Sequence, residues 1–271
     1  MLPSCTSAET SKESAGIQNV VISAHRGGPL PGYPENALET LQNTEKRIPG
    51  VMMEVDVRLT KDGVLVLLHD ATLDRTTNFS GRLDNYTYEE ISTAFLMDLE
   101  EKVTLFHIPT LKSVFLWITE VDAYLSLDVK ESLAVEAIVQ MIDEFDLGDR
   151  VEVITYNRRQ AEQVHQLDSS LHLSVSLGNM EAIQQITSSN VINQRKIAAF
   201  TGLSLKDQTF YQQLADLGFV VTLGTIGNLD RRAEARGNRL YLEWQALGVA
   251  RFATDYPFRV FDVLSNQAAQ P

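Results

Sequence analysis

The chain has a single cysteine, Cys5, among 271 residues. One thiol excludes an intrachain disulfide and a thiolate metal site. Long apolar runs are also missing, and none approaches the roughly 20 residues that a membrane-spanning helix needs. Positive charge is scarce: 23 Lys and Arg stand against 36 Asp and Glu, a formal net charge of -13. That balance excludes a nonspecific binder of nucleic acid or anionic membrane, because both need a positive field. A phosphate-bearing substrate would need local compensation from arginine, lysine or a metal. No G-x-G-x-x-G follows the first apolar run, so a dinucleotide-binding fold has no motif behind it. There is no internal repeat.

What is present describes a folded α/β chain. Apolar residues make up 44% and charged residues 22%, enough for a sizeable core. Residues 1–18 are small and polar and read as a tail. Within it, Leu2-Pro3-Ser4-Cys5 resembles the end of a bacterial lipoprotein signal, with Cys5 as the lipidated residue and a cell-envelope location as the consequence. The competing expectation is an incidental cysteine on a cytoplasmic protein. Beyond the tail, eight runs rich in apolar and β-branched residues predict strands: Val20–His25, Val51–Arg58, Ala123–Val129, Val151–Thr155, Leu171–Leu177, Ile197–Thr201, Phe219–Leu223 and Arg251–Thr254. Apolar residues at helical spacing lie between them, as in Val135, Ile138, Val139 and Ile142. Eight such alternations predict a (β/α)8 TIM barrel, one domain over residues 19–265, with a doubly wound open sheet as the structural alternative. The alternation breaks once, after the second strand, where residues 61–107 form an insertion that includes a further strand at Val64–Leu68. Insertions at the C-terminal end of a barrel strand tend to shape an active site.

Polar residues fall where that barrel would present them. On a strand, side chains two apart share a face, so Glu54 and Asp56 point the same way while Met53, Val55 and Val57 take the other side. Two carboxylates about 7 Å apart on an inner face repel each other unless a cation neutralises them, and a hard divalent ion does this with oxygen ligands. Ser126, Asp128 and Lys130 repeat the pattern on the next strand. Asp128 is a candidate third ligand, and Lys130 a candidate partner for a phosphate or a carboxylate. An ion-pair network among these acids, Lys130 and Arg58 is the alternative reading. His25 and His69 each end an apolar strand, and an imidazole pair with ordinary pKa near 6.5 suits acid–base work at a phosphate. His107, in a loop, His165, on a helix, and His172, early in a strand, are expected to be structural. Arg26 offers a fork-shaped donor set for an anion, and Gly27 and Gly28 let the backbone turn beside it.

The stretches "AHRGGPLPGYPEN", "MEVDVRLTKDGVLVLLHD", "LDRTTNFSG", "IPTL", "LSLDVK" and "ATDYP" resemble, in order and spacing, those of glycerophosphodiester phosphodiesterases. The resemblance covers nearly all of the chain after the tail. It implies a TIM barrel that hydrolyses glycerophosphodiesters to glycerol 3-phosphate and an alcohol with one divalent cation, Mg²⁺ or Ca²⁺. It implies catalytic roles for His25 and His69, metal ligation by Glu54, Asp56 and Asp128, and substrate contacts from Arg26 and Lys130. Three positions depart from the family pattern. Asp128 stands where a glutamate is usual, Ala37 replaces a threonine after Pro34-Glu35-Asn36, and Leu223-Gly224-Thr225 lacks a tryptophan that commonly lines the pocket. A related phospholipase-type phosphodiesterase, a non-catalytic binder of glycerophosphodiesters and a sugar- or aldol-processing barrel are the alternatives.

Overall fold

A computed structural model of the chain describes residues 16–268. Its strands, in chain order, are β1 (Ile22–Ala24), β2 (Met52–Leu59), β3 (Leu65–Leu67), β4 (Phe95–Met97), β5 (Val103–His107), β6 (Tyr124–Val129), β7 (Val151–Thr155), β8 (His172–Ser176), β9 (Ile197–Phe200), β10 (Val220–Gly224) and β11 (Arg251–Thr254). Eight of these, β1, β2 and β6 to β11, pair in parallel, and β1 joins both β2 and β11, so the sheet closes. Helices cover its outside, among them α1 (Leu38–Arg47), α3 (Leu111–Ile118), α4 (Val135–Glu144), α5 (Arg158–Leu167) and α6 (Met180–Thr187), while the short α2 (Tyr88–Ile91) lies in the insertion. The fold is the predicted TIM barrel.

Local chemistry explains the alternation. On β2 the outward Met53, Val55 and Val57 are fully buried against the helical layer. Asn157 and Asn179, placed directly after β7 and β8, accept the backbone N–H groups of Gln160 and Ala182 and so start α5 and α6. Thr110 does the same for α3, which is where the interrupted barrel pattern resumes. The main core lies between strands and helices, with Leu41, Phe115, Leu127, Tyr211 and Phe252 among its fully buried members.

The insertion has a core of its own, built from Val66, Leu68, Leu73, Leu83, Ile91, Leu96 and Ile108. Its β3 pairs antiparallel with β2, as the apolar run at Val64–Leu68 suggests. It also holds an antiparallel pair, β4 with β5, that the sequence does not announce. The reason is exposure: β5 alternates exposed and half-buried residues and displays Val103 and Leu105 to solvent, so it lacks the apolar face that marks a strand. His107 therefore ends a strand rather than lying in a loop, with Nδ1 2.9 Å from the Ala94 carbonyl oxygen and its ring stacked on Phe95.

At the other end of the barrel, Ile17 is already buried with Val20, Met52 and Tyr124, just inside what polarity alone marks as tail. Arg251 anchors this segment. It is 1% exposed, donates to the carbonyls of Ile17 and Val20, and pairs with Glu152 at 2.8 Å. Cys5 and the lipoprotein expectation lie outside the described residues. Among the described residues no helix is long and apolar enough to cross a membrane.

Candidate active site

The site is set by strand register. Asp56 on β2 lies directly opposite Asp128 on β6, and Glu54 lies opposite Ser126. Inward-facing positions of neighbouring strands therefore stack three carboxylates at the C-terminal end of the barrel. Oxygen atoms of Glu54, Asp56 and Asp128 all lie within 4.8 Å of one another. Desolvation, then the neighbouring Asp56 charge, pushes the Glu54 carboxyl up to about 7. Burial acts in the same direction on Asp56, but Lys130 outweighs it and holds Asp56 below the usual carboxylate range.

Each acid is held by a specific donor. The Arg26 backbone N–H donates to Glu54 Oε2 at 2.7 Å. Asn36 donates to Asp56 Oδ2 at 2.8 Å and accepts the Asp56 backbone N–H at 2.9 Å. Lys130 Nζ lies 2.7 Å from Asp56 Oδ1 and also donates to Asp128 Oδ2. Tyr156 donates its hydroxyl to the same Asp128 oxygen at 2.7 Å. Asp128 Oδ1, by contrast, is buried and has no hydrogen-bond partner. An orphaned anionic oxygen is costly unless a cation meets it. Three convergent carboxylates with one unsatisfied oxygen fit a hard divalent ion.

The turn that delivers Arg26 is unusual backbone. Arg26 has φ 50° and ψ 33°, followed by Gly27 at φ 82° and Gly28 at φ 80°. A Cβ on Gly27 would also meet Leu41 Cδ2 at 2.5 Å, so conformation and space both demand glycine there. The turn aims the Arg26 amide at Glu54 and sends its guanidinium to Glu35, at 2.9 and 3.0 Å.

Both expected histidines reach the site, each held by a carboxylate. His25 Nδ1 lies 2.7 Å from Asp255 Oδ1, and Asp255 Oδ2 accepts the Gly227 backbone N–H. Burial opposes protonation of His25, but Asp255 and the Glu54 charge outweigh it and raise its pKa. His69 Nδ1 lies 2.6 Å from Asp70 Oδ1. Asp70 is fixed by Arg75 Nε at 2.6 Å, and the same guanidinium grips both oxygens of Glu35 at 2.8 and 2.9 Å. Arg75 thus ties His69 to Arg26 through two carboxylates.

His25, Arg26, Glu54 and Asp128 line a cavity of about 370 Å³ that descends into the barrel to Glu152 and Arg251. His69 and Lys130 border the acid cluster outside this lining, His69 standing close enough to Asp56 to favour its ionised form. The remaining wall is small and polar at depth (Ser23, Ser126, Ser174, Thr222) and apolar higher up (Ile154, Phe200, Leu203, Ile226). Gly224, where the family's aromatic is absent, is roofed by a neighbour: a Cβ there would meet Leu203 at 2.6 Å and Phe200 at 2.8 Å. His165 and His172 belong to the framework. His165 bridges the Leu171 carbonyl and the Asn193 backbone N–H, while His172 lies 3.1 Å from Lys196 Nζ at the opposite end of the barrel. Arg58 turns outward to Glu131 and the His69 carbonyl.

Six of the contributing side chains, Glu35, Asn36, Asp70, Arg75, Tyr156 and Asp255, go unassigned in the sequence. Asp255 had a usable signal: it follows the last strand as His25 follows the first, and closure makes those strands neighbours.

Residues 25–215 match the glycerophosphoryl diester phosphodiesterase family. The chain belongs to that family. A glycerophosphodiester phosphodiesterase of Caldanaerobacter subterraneus subsp. tengcongensis is 32% identical over 164 residues, 58% of this chain and 65% of the relative. One of Bacillus altitudinis is 31% identical over 172 residues, 60% of this chain and 68% of the relative. The matched stretch thus spans about two thirds of the length of these curated relatives. The crystal structure of a glycerophosphoryl diester phosphodiesterase from Parabacteroides distasonis superposes with a TM-score of 0.83 at 30% identity, covering 94% of this chain and 89% of that one.

Proposed function

We propose that this member of the glycerophosphodiester phosphodiesterase family hydrolyses glycerophosphodiesters to glycerol 3-phosphate and an alcohol, within a single domain over residues 19–265. The observation that carries the reading is the convergence of Glu54, Asp56 and Asp128, with Asp128 Oδ1 buried and unpartnered, beside the His25–Asp255 pair. Glu54, Asp56 and Asp128 would hold one divalent cation, Mg²⁺ or Ca²⁺. When bound, the ion polarises the phosphoryl oxygens and offsets charge that develops on them.

The chain's own residues supply the rest. With Nδ1 of each imidazole bonded to a carboxylate, Nε2 is the atom left to carry a proton. His25 and His69 divide the work, one taking a proton from the nucleophile and the other delivering one to the leaving alkoxide. Arg26 and Lys130 bring positive charge to the phosphate region and balance the acids when no substrate is present. Asp255 and Asp70 fix the ring orientations, and Asp255 favours the protonated form of His25.

The test is release of glycerol 3-phosphate from glycerophosphocholine and glycerophosphoethanolamine, with and without chelator. Release that stops with chelator and returns with Mg²⁺ or Ca²⁺ is expected. No release from any glycerophosphodiester with either ion present rejects the reading. Release of a ring-closed phosphate instead would move it to the phospholipase-type alternative.

A further inference from the structure

The acids and His69 belong to different parts of the molecule. Glu54, Asp56 and Asp128 stand on barrel strands, whereas His69 lies in the insertion, just past β3. The support of its ring is mostly local. Asp70 is the next residue, Arg75 lies five further on, and Arg75 reaches Glu35 in the loop before α1. Those contacts orient the ring, but none of them ties it to a strand that carries an acid. The β2–β3 ladder does so only as far as Leu67, opposite Val57, and Leu68, whose N–H donates to the Asp56 carbonyl at 3.0 Å. His69 is the first residue beyond it.

Arg58 takes over there. It shares a face of β2 with Glu54 and Asp56, yet its guanidinium goes elsewhere. Nε donates to the His69 carbonyl at 2.9 Å, and Nη1 pairs with Glu131 Oε1 at 2.5 Å. Glu131 directly follows Lys130, whose ammonium binds Asp56 and Asp128. One planar group thus braces β2, the backbone of His69 and the loop after β6, and its rigid fork fixes the angle between its two partners. Charge alone does not explain the arrangement. The Glu131 side chain is 34% exposed, so water can solvate it. A guanidinium placed only for Glu131 would have no use for a neutral carbonyl.

Resting on the hydrolytic reading above, we infer that Arg58 is a positioning residue for the reaction: it holds the His69 backbone to the strand that carries Glu54 and Asp56, and so sets the distance between imidazole and acid cluster. A displacement of about 1 Å at such a group costs on the order of 10²-fold in rate. Arg58 itself touches no reacting atom. Its loss is felt through His69 and leaves the contacts of Arg26 with Glu35 and of Lys130 with Asp56 in place.

The test is a double-mutant cycle of Arg58→Gln with His69→Ala, read by steady-state kinetics on glycerophosphocholine, together with the proton NMR shift of the His69 ring at fixed pH. The ring signal is the one that His69→Ala removes. Arg58→Gln is expected to lower kcat by about 10–100-fold with KM nearly unchanged, and to change the residual rate of His69→Ala by less than about twofold. The His69 signal should move and the His25 signal stay. Arg58→Lys keeps a charge opposite Glu131 and does not endanger folding. It should lose nearly as much, because one ammonium cannot hold both partners in the geometry of the fork. Equal losses with and without His69, an unmoved ring signal, or a wild-type rate in Arg58→Lys overturn the inference. The NMR signal needs no turnover, so a displaced ring in a protein that releases no glycerol 3-phosphate would reject the hydrolytic reading and leave the brace standing.

Discussion

Asp255 Oδ1 lies 2.7 Å from His25 Nδ1, joining the loop after the last barrel strand to the turn after the first. Asp255 is itself held by the Gly227 amide, and its backbone N–H donates to the buried Asp230 at 2.8 Å. The imidazole is therefore locked from behind. His25→Ala is expected to lower kcat by about 10²–10⁴-fold, the usual worth of general acid–base help. Asp255→Asn should lower kcat by at least about tenfold with a smaller change in KM, because it leaves substrate contacts in place but frees the ring. Steady-state kinetics on glycerophosphocholine decides it, and an unchanged kcat in Asp255→Asn would reject a positioning role.

Arg75 joins two halves of the ion-pair network. Its fork reaches Glu35 and Asp70 at once, so its loss releases Arg26 and His69 together. Arg75→Ala should cost as much as about 10²-fold in kcat/KM through misplacement of both groups. Arg75→Lys should recover little, since one ammonium cannot grip two carboxylates bidentately. Full recovery with lysine would mean that charge alone matters.

The hold on Asp128 predicts metal affinity. Tyr156 and Lys130 both bind Oδ2 and leave Oδ1 buried without a hydrogen-bond partner. Tyr156→Phe should weaken Mg²⁺ or Ca²⁺ binding by about 10–100-fold, the usual effect of losing a partner that orients a ligand. Asp128→Asn should weaken it further. Titration calorimetry with each ion measures both, and wild-type affinity in Asp128→Asn would remove this residue from the ligand set.

A pH effect on stability is expected far from the site. Burial, and then the Lys196 charge, pushes His172 down to about 4 from 6.5. A folded pKa below the unfolded one means that protonation favours unfolding. Stability is intact above pH 6.5 and falls as the pH drops toward 4, by on the order of 2–3 kcal/mol for this group. His172→Gln, which cannot titrate, should lose less stability over that window. Urea unfolding at several pH values compares the two, and parallel curves would refute the assignment.

Much of this was written locally. Period-two alternation at Met53–Val57 and Leu125–Val129 marks strands and puts Glu54, Asp56 and Asp128 on one face, because adjacent residues on a strand must point apart. The β4–β5 pair escaped notice because Val103 and Leu105 face solvent. Glu35 and Tyr156 escaped because nothing near them in the chain shows what they will touch.

By itself, the sequence determined the barrel, the facing of its acids and the histidines at its strand ends, since each follows from neighbours a few residues away. Only the tertiary structure decided that Asp255 backs His25, that Arg75 clasps Glu35, and that Phe200 roofs Gly224. Those pairings join distant segments, and a hydrogen bond or a van der Waals contact exists only when closure of the sheet brings its atoms within a few ångströms.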